Sequence, residues 1–164
     1  MRGPIAFIRG TRHPEGFHGH GVRRGYFEGW YVKLVDARQE ARRALIPGVF
    51  RGRDGADVTD EAFVQVLDGA TGRSWYHRYD ASEFDARADC FDVTVGPNRF
   101  TAEGISIDLP GLSGRVNFTT EFDPWPNTWR RPGIMGPYSW VPLMECYHGI
   151  VSFGHGLDGA LNAA

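Results

Sequence analysis

The sequence predicts an all-β fold, an antiparallel barrel or sandwich, and three observations carry that expectation. Apolar and polar residues alternate along most of the chain, helical periodicity is scarce, and glycine, proline and asparagine punctuate it at short, near-regular intervals. At 164 residues the chain fits one domain, residues 1–164, large enough to bury a real core.

Taken in order, residues 5–8 read as a short strand, and 13–25 as a loop rich in glycine and histidine. Residues 26–35 alternate cleanly: Tyr26, Glu28, Trp30, Val32 and Leu34 share one face, and Phe27, Tyr31, Lys33 and Val35 the other. A strand at 45–50 contains Pro47, which should confine it to an edge or a bulge. Residues 62–67 and 73–79 form a hairpin around the turn-forming loop 68–72. Strands at 91–95, 99–102 and 105–109 form a meander, followed by 115–122 and 149–153. The proline-rich stretch 124–137 is too stiff for regular structure. Within 138–147, Trp140, Leu143, Met144 and Tyr147 fall at i, i+3, i+4 and i+7, a pattern that one short helix or a bent strand both satisfy.

A net charge of −2 gives no reason to expect nucleic acid as a partner. Seventeen of the eighteen basic residues are arginine, Lys33 being the exception. Two cysteines, Cys90 and Cys146, do not make a disulfide framework. No basic-then-apolar leader or membrane-length apolar run is present, which reads as a soluble, cytoplasmic protein without a transmembrane segment.

Chemistry concentrates near the end of the chain, where Glu145, Cys146, Tyr147 and His148 are consecutive among Met135, Trp140, Leu143 and Met144. Burial among such side chains would raise a carboxylic acid's pKa toward neutrality. Glu145 and His148 have the spacing used twice by di-iron bundles, but one copy in a β chain does not make that site. Glu28 is the second candidate acid. Set among Tyr26, Phe27, Trp30 and Tyr31, it must be paired, with Lys33 or an arginine, or protonated. His18 and His20, with His13 nearby, could face a metal, but their glycine-rich context reads as a loop, so no metal is expected. No Gly-x-Ser-x-Gly elbow, phosphate-binding loop or dinucleotide fingerprint occurs.

The run from Tyr26 through Phe27, Glu28, Gly29, Trp30, Tyr31 and Val32 to Lys33 resembles the tocopherol cyclase family. So do the runs 63–69, 132–136 and 141–149, the last containing Met144, Glu145, Cys146, Tyr147, His148 and Gly149. The likeness spans nearly all of residues 17–161. It implies a lipocalin-like β fold and closure of a chromanol ring on a prenylated quinol, a redox-neutral addition that needs no cofactor. Family members continue into a second β-rich half, so the resemblance implies that this chain corresponds to the first half of a longer one. It departs from the pattern at Pro137 and Gly154. The resemblance implies Glu145 as first-choice acid and Glu28 as second, with His148 or Tyr147 orienting the quinol hydroxyl. Trp30, Tyr31, Trp140 and Met144 would line the prenyl channel. A missing half would leave strand edges open to self-association.

Two rival readings use the same fold. One is a non-catalytic lipid- or prenylquinone-binding protein. The other is a carbohydrate-binding sandwich, with Trp75, Trp125 and Trp129 as exposed stacking platforms.

Overall fold

The computed structural model describes residues 4–53, 59–141 and 147–163. It is mostly β, with two antiparallel sheets stacked as an open sandwich rather than a closed barrel. The first sheet contains β1 (Tyr26–Gly29), β2 (Val32–Val35), β3 (Arg42–Arg51), β4 (Glu61–Asp68) and β5 (Ser74–Asp80). Its order is β1-β3-β4-β5, with β2 pairing β3 beyond β1. The second holds β6 (Phe84–Ala86), β7 (Asp92–Val95), β8 (Asn98–Thr101), β9 (Gly104–Leu109), β10 (Leu112–Phe118) and β11 (Leu157–Ala163), ordered β11-β10-β9-β8-β7-β6.

Residues 26–35 keep their alternation but break into two strands. Trp30 leaves the ladder, donates its amide to the Pro47 carbonyl at 3.0 Å, and is itself buried. This interruption accommodates Pro47 in a central strand, where an edge or a bulge was expected. The N and C=O of one strand residue point the same way, so the missing donor faces the gap between β1 and β2. The β3–β4 ladder runs on unbroken through the Pro47–Val64 pair.

Two expected strands are absent. The first lies within a helix, α1 (Pro4–Arg12), whose leading proline has the fixed φ that suits a first helical position. Residues 149–153 form no strand. They are held irregularly, with Trp125 donating to the Ile150 carbonyl and Phe153 to that of Asp123. The strand that pairs β10 lies further on, at β11. Within 138–147, the described part forms a single 3-10 turn, Gly136–Trp140.

The two inner faces share one core. Leu45, Val49, Ala62 and Val64 meet Val93, Val95, Phe100 and Ile105, all essentially without solvent contact. Hydrophobic burial of this kind is the main favourable term in folding. Asn98 is fully buried among them, yet all its polar atoms are used. Its amide donates to the Tyr79 hydroxyl and Val95 carbonyl, and its carbonyl accepts from the Asp108 amide. No helix among the described residues is long and apolar enough to cross a membrane.

Candidate functional site

Among the described carboxylates, Glu28 is held by both an imidazole and a phenol. Alternation places it on the inner side of β1, paired across the ladder with the buried Val49. Lys33, at an odd position, faces the other way, so Glu28 cannot use it. Its partners come instead from the loop that precedes β1, which folds back over the strand. His18 donates its amide to Glu28 Oε2 at 2.9 Å, and His18 Nδ1 stands 2.6 Å from Oε1. The Tyr26 hydroxyl donates to Oε2 in a short hydrogen bond.

Sequence-local packing fixes this loop. Phe17 is buried against Tyr26, Trp30 and Phe84, and His20 packs edge-on to it. The Phe17 amide donates to the Arg87 carbonyl at 2.7 Å, which ties the loop to the second sheet. Trp30 Nε1 donates to the Glu15 carbonyl at 3.0 Å, and Arg51 holds the carbonyls of Gly19 and Val22. Gly19 is required by close approach: a Cβ there would lie 2.3 Å from the Tyr26 ring.

The proton inventory follows from the acceptors. His18 Nε2 lies 2.9 Å from the His13 carbonyl, which can only accept, so Nε2 carries hydrogen. One further proton must lie between Nδ1 and Oε1 for their contact to be a hydrogen bond. The pair is therefore either imidazolium with carboxylate or imidazole with carboxylic acid, and it holds one transferable proton in both forms. Solvent reaches it narrowly, with side chains 16% and 14% exposed for His18 and Glu28. Desolvation at this level strengthens the pair's electrostatics.

The remaining predicted residues separate into four groups. Trp30 lies beneath the loop that carries His18 and stacks on Phe84. Tyr31 faces outward, 64% exposed. Trp140, Tyr147 and His148 lie with the proline-rich segment. Trp140 stacks on Trp129 at 5.4 Å, Tyr147 donates to the Val141 carbonyl and meets Phe7 edge-on, and the His148 amide contacts Met135 sulfur. Glu145, the first-choice acid, and Met144 fall outside the described residues. The end of α1 touches both clusters. Thr11 bonds the Ser139 carbonyl, while the His13 carbonyl receives His18.

Sequence reasoning found Glu28 but missed its partners. Tyr26 was legible as a same-face neighbour two residues away, whereas His18 belonged to a loop with no periodicity to orient it. Trp75, Trp125 and Trp129 are all exposed, as a sugar platform requires. They rest on different partners, however: Trp125 on Phe153 and Trp129 between Trp140 and Arg12. Among the described residues, no three His, Cys, Asp or Glu side chains gather to hold a metal ion. The chain matches no protein-family model, no curated protein and no solved structure.

Proposed function

We propose that this chain is a tocopherol cyclase-like protein that closes a chromanol ring on a prenylated quinol, with Glu28 as the acid. The reading rests on one observation above the rest: Glu28 Oε1 lies 2.6 Å from His18 Nδ1 beside an aromatic cluster of Phe17, Tyr26, Trp30 and Phe84. Alkene protonation is the hard step, and a largely desolvated acid suits it.

The reaction balances without an oxidant. The acid gives its proton to one alkene carbon, leaving a tertiary cation on the other. The quinol oxygen attacks that cation, forming the C–O bond, and its O–H proton returns to the Glu28–His18 pair. Aromatic faces stabilise such a cation by about 0.5–2 kcal/mol each when water is excluded. In this scheme His18 holds the proton position and Tyr26 keeps Oε2 oriented. Tyr147 and His148 remain candidates for orienting the quinol through the neighbouring loop.

Incubation of the chain with a reduced prenylquinol under anaerobic conditions, followed by chromatography, tests the reading. Chromanol is expected from the wild type and not from Glu28→Gln of unchanged circular dichroism. A wild type that binds the quinol without converting it would replace the cyclase with a lipid-binding protein. Undiminished turnover in Glu28→Gln would remove Glu28 from the mechanism.

A further inference from the structure

On the outer side of the first sheet lies a second feature, unrelated to Glu28. A cleft of about 300 Å³ is bounded by Tyr31 and Lys33 from β2 and its approach, and by Arg42, Arg43 and Ala44 from β3. Leu67, Asp68, Gly69, Gly72 and Arg73 from the β4–β5 hairpin complete it. Four cationic residues thus line one hollow in a protein whose net charge is −2.

The only carboxylate lining the cleft among the described residues, Asp68, is already committed. Asp68 accepts from the Ala70 amide at 2.8 Å and the Thr71 amide at 3.3 Å, and Arg43 reaches it at 2.6 Å. Arg43 is therefore neutralised. Lys33, Arg42 and Arg73 have no carboxylate within 4.0 Å among the described residues. Arg42 is steered by donating Nε to the Gln39 carbonyl, which fixes its stem and leaves its terminal nitrogens available.

A scattered set of solvated arginines would carry no message. These are different because strand register holds them. Lys33 lies directly opposite Ala44, and Ala44 opposite Leu67, so the apolar floor and its cationic rim are set by the ladder. Arg73 enters from the hairpin across Leu67, where Ser74 pairs. Gly72, at φ +73° with open space around it, keeps the hairpin wall low on that side. Low-dielectric walls focus the field of such a cluster and raise the local concentration of anions. Planar guanidinium groups beside a lysine match the oxygen geometry of phosphate.

We infer that this cleft binds a phosphate group, presented by a soluble ester or a lipid headgroup, through Lys33, Arg42 and Arg73. Arg43 acts as the fixed wall that keeps Asp68 from competing. The Tyr31 ring and the Ala44–Leu67 floor accept the carbon skeleton attached to the phosphate. The site faces away from Glu28, so the inference stands independently of the cyclase reading.

Two-dimensional amide NMR of the full chain tests it, with titrations of inorganic phosphate and glycerol phosphate in low salt. Saturable shifts of the Gly69, Gly72 and Arg73 amides are expected. The Lys33→Gln/Arg42→Gln/Arg73→Gln variant should weaken binding at least about tenfold. Arg23→Gln, which removes an exposed charge elsewhere, should stay within about twofold of wild type. Vesicle flotation separates the two sources. Capture by phosphatidylcholine containing phosphatidate, but not by pure phosphatidylcholine, assigns the lipid headgroup. Phosphate shifts without capture assign the soluble ester. The inference is overturned if neither phosphate, glycerol phosphate nor phosphatidate vesicles bind, or if the triple variant binds like wild type. Saturation by single-stranded DNA with no response to phosphate would overturn it too. Glu28→Gln should retain the phosphate shifts, so failure here and failure of the cyclase assay are distinguishable.

Discussion

Glu28 and Asp68 are both strand carboxylates of the first sheet with every neighbour in hydrogen-bonding position, yet they are built from opposite materials. Asp68 is held by backbone amides and an arginine, none of which can surrender a proton near neutral pH. Glu28 is held by an imidazole and a phenol, and the imidazole is a side chain able to exchange a proton with it. Satisfaction alone therefore does not separate a structural carboxylate from a chemical one. What separates them is whether a partner can hand over a proton.

The sharpest test of that difference is a matched pair of amides. Glu28→Gln is expected to lower chromanol formation at least about 100-fold, the usual scale for losing a positioned acid. Asp68→Asn should leave turnover within about twofold, because Asp68 faces no reacting group in the proposed scheme. Equal losses in both variants would mean that the two carboxylates are alike after all.

Acid stability should invert the ranking. The Ala70 amide foremost, with Thr71 and Arg43 adding to it, holds the Asp68 carboxyl below the ordinary carboxylate range. A depressed native pKa gives stability that is present above the unfolded value of about 3.9 and is lost as pH falls through the native value. Urea melts from pH 5 downward should therefore show a decline in the wild type that is shallower in Asp68→Asn.

His155 extends the comparison to a group with no partner. Packed against Phe118 and Phe122, its Nδ1 is buried without a hydrogen-bond partner among the described residues, and burial pushes its pKa down. The unfolded chain then binds more protons than the native one below about pH 6.5, so stability rises with pH through that window. His155→Phe should remove this slope, as thermal melts at pH 5 and 7 would show.

The smallest effect is expected at Tyr26→Phe. It deletes one neutral donor to Glu28 while His18 remains, and a slowing of about fivefold, equivalent to about 1 kcal/mol, is expected in the cyclisation assay. A loss as large as that of Glu28→Gln would promote Tyr26 from orienting group to proton carrier.

Period-two patterning made most of the fold legible. It assigned Glu28, Trp30, Val32 and Leu34 to one face correctly, and the hairpin at β4–β5 needed only its turn residues. Among the places that escaped it, three have a clear reason. α1 opens on a proline that signals a helix, and a four-residue apolar run cannot overrule it. Pro47 depends on a gap in the neighbouring strand, which is a tertiary fact. β11 carries Gly159 and little alternating burial, so nothing in Leu157–Ala163 advertises a strand. The site was half visible for the same cause: strand residues announce their direction, and His18, in a loop, does not.

The pairing of β10 with β11 bears on the order in which the molecule assembles. Strands β6 to β10 meet their sequence neighbours, and β3, β4 and β5 do likewise, so these ladders close short loops and should form early. β11 must instead close the whole segment 119–156 before its first bond is made, at a larger entropic cost. It should therefore dock last and open first, with Gly114 and Gly159, each packed against the opposite strand's backbone, joining only in the final step. Amide exchange would then be faster in β11 than in the ladders from β6 to β10.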